Sequence, residues 1–379
     1  MDSSMAQREQ PTVHPVVLCK TARLNSACTS ITAAISPFED DRHNRNLCYI
    51  IYGKSNGDTI IASDDQCIQQ TIPFEPECPI PVVVTGDGRN IDMSEIFIIA
   101  ANGHMRSYSF PKCYERGKPE CYEPGECQFE QLLNANISFA EILDIDGDDN
   151  QELLVAMTDR VVRSYRYEEV DDDEMHFVPL SKWEVPSHIT SISIGYDIGL
   201  TILLSQMHRQ QYVRINLSHS GETVKVVQPM IASENKKRDC YQLIVPPKPL
   251  RVSILNTLVT RVFVANTACN SETLLKTDKC AVVVAAATTL RSGLRLLITV
   301  DNRGLMSAYG WTDHLIPKTE PIARSRIPAN PERLCALADP TNQHSLLLGV
   351  SYLDHKLTFL KLNFQNVPDP ASSTIQPPI

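Results

Sequence analysis

The sequence predicts an all-β chain built as a seven-bladed β-propeller. Three observations carry this. Short apolar runs come in groups of three, separated by turn residues, and the groups recur at roughly 50 residues. No stretch shows an apolar period near 3.6, so no helix of any length is expected. One group can be laid on the next without a gap: residues 82–110 match residues 139–167 at an offset of 57. At that offset Asp87 falls on Asp144, Glu95 on Glu152, and Arg106-Ser107-Tyr108 on the identical Arg163-Ser164-Tyr165. A lone small sheet cannot bury both faces. Units of this kind pack face to face around an axis, and closing the ring hides the two end faces. Two sandwich domains are the alternative arrangement.

Residues 1–15 are polar, contain proline and read as disordered. Residues 16–18 read as a first strand of the kind that closes a ring. Runs at 31–34, 48–52 and 59–62 follow, and Asn56-Gly57 marks a hairpin turn between the last two. The matched stretches 82–110 and 137–167 make the second and third units. Runs at 189–194, 201–205 and 212–217 make a fourth, turning at His208-Arg209-Gln210. A poorly phased unit lies near 250–264. Runs at 281–286, 294–300 and 305–311 turn at Asp301-Asn302-Arg303-Gly304, and the last unit (334–337, 345–351, 357–364) turns at Asp354-His355. The propeller is expected over residues 16–366, followed by a Pro/Ser-rich disordered tail at 367–379. A WD-type propeller is disfavoured, because the two tryptophans, Trp183 and Trp311, do not precede aspartate.

A net charge of −10 argues against a nucleic-acid partner, whose phosphates need a basic surface. The acidic run Asp171 to Glu174 reads as a solvated loop tip rather than a docking patch. The first residues show no apolar signal core, and no run reaches the roughly 18 apolar residues of a membrane span. Twelve cysteines in such a chain are expected to be free thiols in a reducing compartment. Cys113, Cys121 and Cys127 lack the paired spacing of a zinc site. The sequons at Asn136 and Asn216 are chance matches in a cytosolic chain. No nucleophile elbow, HExxH motif or P-loop is present, and Ser63 to Asp65 and His104 read as hairpin ends.

One loop stands out. Asp144, Asp146, Asp148 and Glu152 place carboxylates at positions 1, 3, 5 and 9 of a tight turn, and the Asn150 carbonyl could serve at position 7. Clustered oxygens in this order suit a structural Ca²⁺ ion. The same residues also suit a plain acidic hairpin loop held by Asx hydrogen bonds. The copy at Asp87 retains Asp87, Asp92 and Glu95 but not the spacing.

The apolar strand, the Asp-Ile-Asp-Gly-Asp loop and the Glu152-Leu-Leu-Val strand resemble the FG-GAP repeats of integrin α propellers. With Thr158-Asp-Arg-Val-Val-Arg163, Tyr165-Arg-Tyr167 and Ser181-Lys-Trp183, the segment resembles the integrin-alpha FG-GAP repeat-containing protein 2 family. Asp149 stands where that family's loop has glycine. The resemblance implies a non-enzymatic scaffold or adaptor in a KICSTOR-like complex. Its implied partners are a kaptin-like propeller, a very large scaffold subunit and the GATOR GTPase-activating complex. Its implied place is cytoplasmic, peripheral at the lysosomal membrane through the complex and without membrane insertion. Its implied task is to restrain TOR signalling when amino acids or glucose are short. Arg163, Tyr165, Tyr167 and Trp183 are the candidate partner-binding residues, because aromatic and Arg side chains dominate interface hot spots; the tyrosine pair equally suits packing within the blades, with Arg163 an ordinary surface strand residue. The competing assignments are an extracellular integrin-like adhesion propeller and an enzyme.

Overall fold

The computed structural model describes residues 13–16, 21–40, 45–63, 69–111, 126–170, 174–196, 200–206, 212–218, 221–227, 241–244, 252–257, 261–266, 271–275, 282–311 and 320–364. Its strands are antiparallel and numbered in chain order. β1 (Val13–Val16) and β2 (Thr21–Arg23) come first. Six four-stranded sheets follow, each a meander. They are β3–β6 (Cys28–Asp40, Arg45–Lys54, Thr59–Ser63, Gln69–Ile72), β7–β10 (Val82–Gly86, Glu95–Ile99, His104–Tyr108, Cys127–Leu132) and β11–β14 (Ile137–Leu143, Glu152–Met157, Val161–Glu169, Met175–Glu184). Next are β15–β18 (Ile189–Tyr196, Leu200–Gln206, Tyr212–Ser218, Gly221–Val227), β19–β22 (Tyr241–Ile244, Val252–Thr257, Arg261–Asn266, Ser271–Leu275) and β23–β26 (Val282–Thr289, Arg295–Asp301, Leu305–Trp311, Ala323–Arg326). A further, five-stranded sheet joins β27 (Pro331–Ala338), β28 (Ser345–Tyr352) and β29 (Lys356–Phe364) to β1 and β2.

The sheets form a closed ring. β3 meets β7, β7 meets β11, β12 meets β15, β15 meets β19, β19 meets β23, β23 meets β27, and β27 returns to β3. Apolar clusters sit between consecutive sheets. Ile51 and Ile61 of one pack with Ile96 and Ile98 of the next, and Phe97 and Ile99 pack with Leu153 and Val155. Ala156, Trp183, Ile202 and Leu204 fill the following gap, and Leu296, Ile298, Leu346 and Leu348 fill the gap before the closing sheet. A strand flanked by other sheets on both faces needs no polar alternation. This is why β8, β12 and β24 are buried along their whole length, whereas β10, at the outer edge, alternates toward solvent.

The closing strand starts earlier than expected. β1 begins at Val13, inside the stretch read as disordered, and pairs with β29 from Val13 opposite Phe364 to Val16 opposite Lys361. The outer edge of β29 is a row of backbone donors and acceptors, and it recruits even a polar, proline-containing segment. β2 continues along the same edge. The poorly phased region near 250–264 contributes β20 and β21 to a complete four-stranded sheet. Residues 1–12, 17–20 and 365–379, the His208 turn, Asp171 to Asp173, Cys113 and Cys121 lie outside the described residues.

Candidate functional site

The acidic loop connects β11 to β12 and is folded by its own side chains. Asp144 accepts the N–H groups of Gly147 (2.6 Å) and Asp149 (3.1 Å). Asp148 accepts the Asn150 N–H at 2.9 Å, and this bond leads the effects that hold its carboxyl below the usual range. Gly147 has φ 85° and Asp149 φ 70°. The aspartate in place of glycine therefore adopts the left-handed conformation that glycine would supply, which Asp tolerates better than most side chains.

Glu152 starts β12 and is completely buried. Its Oε2 accepts the Ile145 N–H at 2.8 Å, and its Oε1 accepts Arg166 Nε at 2.8 Å and Nη2 at 2.5 Å. Arg166 comes from β13, and its Nη2 also reaches Asp146 Oδ2 at 2.8 Å and Asp148 Oδ2 at 3.1 Å. Burial raises the Glu152 pKa, and the Ile145 N–H and Arg166 counter this only in part. The stability linked to its proton is present below the ordinary carboxylate range and lost as pH rises through the raised value. Burial by itself lowers the Arg166 pKa, but its hydrogen bonds to Glu152 and Asp146 outweigh this, and the guanidinium stays charged.

Among the described residues, Asp144, Asp146 and Glu152 group their ligand atoms within 4.8 Å of one another. Ca²⁺ would need several of these oxygens at once, at about 2.3–2.6 Å. Both Glu152 oxygens, both Asp144 oxygens and Oδ2 of Asp146 already accept hydrogen bonds, and Oδ2 of Asp148 is ion-paired with Arg166. The donor set has the right chemistry for calcium, but a guanidinium is centred on three of the expected ligands. The arrangement does not fit a bound ion.

The neighbouring loop, between β7 and β8, solves the same problem differently. Glu95, the counterpart of Glu152, is buried and held by a two-bond fork from Arg89, Nε at 2.7 Å and Nη2 at 2.6 Å. Arg89 sits in the loop rather than on the third strand, at the position matching Asp146. Its guanidinium also lies 5.9 Å from the Tyr167 ring of the next sheet. Asn90 ties the two loops together, accepting the Gln151 N–H at 2.6 Å and donating to the Gln151 carbonyl at 3.2 Å. In the closing sheet, Asp339 after β27 is buried, accepts the Thr341 N–H, and is paired with Lys361 from β29. Sequence reasoning missed all three counter-cations. The repeat offset could have flagged Arg89, but Arg166 and Lys361 stand on third strands with no spacing signal.

Of the four candidate partner-binding residues, Tyr165 and Trp183 are buried and Arg163 and Tyr167 are half-buried. Tyr165 is buried and its hydroxyl donates to Asn134 at 2.8 Å. The Tyr167 ring packs edge-on to Phe129 of the preceding sheet, with centroids 5.3 Å apart, and against Phe177. Trp183 is buried with Ala156 and Ile202 on the opposite face. Arg163 is half-buried between Val155 and Lys182 in the sheet register. Tyr165 and Tyr167 face the preceding sheet and Trp183 the next, and packing between blades consumes them. Cys28, Cys48, Cys78, Cys127 and Cys335 are free thiols, and burial raises Cys335 to about 12. No helix is long and apolar enough to cross a membrane among the described residues.

Comparison with known proteins gives a consistent result. Residues 76–306 match the family described as integrin-alpha FG-GAP repeat-containing protein 2. The bovine (Bos taurus) KICSTOR complex protein ITFG2 is 40% identical over 163 residues, covering 41% of this chain and 30% of the relative. Its mouse (Mus musculus) counterpart is 41% identical over 70 residues, covering 17% of this chain and 16% of the relative. The matches therefore span less than a third of these relatives' lengths. Among solved structures, BBS1N in complex with ARL6DN, soaked with lead, superposes with a TM-score of 0.62 at 11% identity, covering 90% of this chain and 95% of that one. That likeness shows the propeller fold alone. The chain belongs to the integrin-alpha FG-GAP repeat-containing protein 2 family.

Proposed function

We propose that this ring, read as seven-bladed, is a non-enzymatic scaffold subunit of a KICSTOR-like complex. The observation that carries the reading is the family match across residues 76–306, which includes the loop and strands most specific to this chain. The chemistry of the described residues agrees with it. The one grouping of His, Cys, Asp or Glu side chains among them close enough to hold a metal has its oxygens engaged by Arg166 and by backbone N–H groups, and the sequence carries no nucleophile or phosphate-binding motif. A propeller's fold alone would not decide this, since rings of this kind host both catalysts and binders.

In this proposal the chain assembles with a kaptin-like propeller and a very large scaffold, and the assembly brings the GATOR complex to the lysosomal surface. It lies in the cytoplasm and reaches the membrane through its partners. The consequence is negative regulation of TOR complex signalling when amino acids or glucose are short. Cells lacking the chain are expected to keep TOR substrates phosphorylated after amino-acid withdrawal, measured by phospho-specific blotting. Normal shut-off in those cells would contradict the proposal.

A further inference from the structure

We propose that the ring's acidic loops are closed by the chain's own basic side chains in the place of a divalent cation, with Arg166 standing where calcium would sit in the Asp144–Glu152 loop. Three observations converge on this. The Arg166 guanidinium contacts Asp146, Asp148 and Glu152, the oxygens at positions 3, 5 and 9 of the loop. The oxygens of Asp144, at position 1, are turned to the backbone N–H groups of Gly147 and Asp149. The same kind of neutralisation recurs in two other sheets, from a different chain position at the repeat counterpart Glu95, held by Arg89, and at Asp339, paired with Lys361.

The physical requirement is common to all three. Each places a carboxylate at or beside the junction of the first and second strands, where packing between sheets removes it from water. A buried, unpaired carboxylate is strongly unfavourable. A divalent ion and a guanidinium both meet that requirement, but they cannot share one centre. Arginine's planar fork satisfies two or three carboxylates at once and is always charged. The ring then holds its shape at the low free calcium of a cytoplasm, without a metal requirement.

The test uses the purified full chain and calcium itself. Calcium is titrated by calorimetry, and melting curves are recorded in millimolar calcium and in chelator, for the wild-type chain and for Arg166→Ala. The wild-type chain is expected to give no binding heat and the same melting temperature in both buffers. Arg166→Ala is expected to melt several degrees lower in chelator and to recover part of the loss in calcium, because the freed oxygens of Asp146, Asp148 and Glu152 become available to the ion. If that variant fails to fold, Arg166→Lys, which keeps the charge but not the fork, replaces it with the same expectation in smaller measure. Binding heat and calcium stabilisation in the wild-type chain would overturn the proposal. So would a variant as stable as wild type, or a destabilised variant indifferent to calcium, which would leave Arg166 an ordinary ion-pair partner.

Discussion

Replacing Gly304 by alanine is expected to destabilise the chain by about 3 kcal/mol, combining the strain of a left-handed residue with a backbone clash. Gly304 ends the turn between β24 and β25 at φ 81°. A Cβ there would press on the Ile327 carbonyl oxygen and lie 2.6 Å from the Pro328 carbonyl oxygen, and neither atom belongs to a side chain that could move aside. The approach is close because the strand-to-sheet connection folds back on the turn, where the Ile327 N–H donates to the Gly304 carbonyl at 2.9 Å. The same bond recurs from Leu133 to Gly103 and from Val185 to Arg160, so it is a repeated clamp. Gly293 provides the control. It has φ 82°, but a Cβ there would meet nothing within 4 Å beyond its chain neighbours, so Gly293→Ala should show the conformational penalty alone, about 1 kcal/mol. Equal losses for the two variants in chemical denaturation would show that the clamp does not matter.

The second large effect is expected at Arg89. Arg89→Ala should destabilise the chain by about 3–5 kcal/mol, because it strands a buried carboxylate rather than merely deleting an ion pair. Glu95 is 2% exposed, and its remaining side-chain partner is the Ser107 hydroxyl at 3.3 Å. The variant also loses the contact of the guanidinium with the Tyr167 ring, which bridges two sheets. Adding Glu95→Gln removes the stranded charge and should recover much of the loss. A double-mutant cycle by urea denaturation measures this directly. A single-mutant loss near that of ordinary surface substitutions, about 0.5 kcal/mol, would count against the pairing.

The ring was legible in the sequence because its inner strands are flanked on both faces. Leu153-Leu-Val-Ala-Met157 and Ile96-Phe-Ile-Ile99 are continuous apolar runs, and hairpin turns such as Asn56-Gly57 punctuate the chain. Outer strands were harder to see. β10 and β18 are polar and solvent-facing, and pairing on a single edge leaves little mark in the sequence. β1 was expected too late, at 16–18, and its first three residues were read as disordered for the same reason. The acidic loop was legible by spacing, but its neutralisation was not. Arg166 is 14 residues from Glu152 and becomes its partner only when β12 and β13 pair. Composition did not separate partner-binding from packing at Tyr165, Tyr167 and Trp183, because hot spots and inter-blade packing draw on the same residue types. Tyr165 and Trp183 belong to the packing.

The central claim is that this ring works by holding other proteins together. Affinity purification of the tagged full chain from cells at mild salt, followed by mass spectrometry, tests it most directly. The expected result is co-recovery of a second propeller protein and a very large scaffold in comparable amounts, together with components of the GATOR complex. Recovery of the chain without the second propeller and the scaffold would contradict the scaffold assignment and leave the ring without its proposed role.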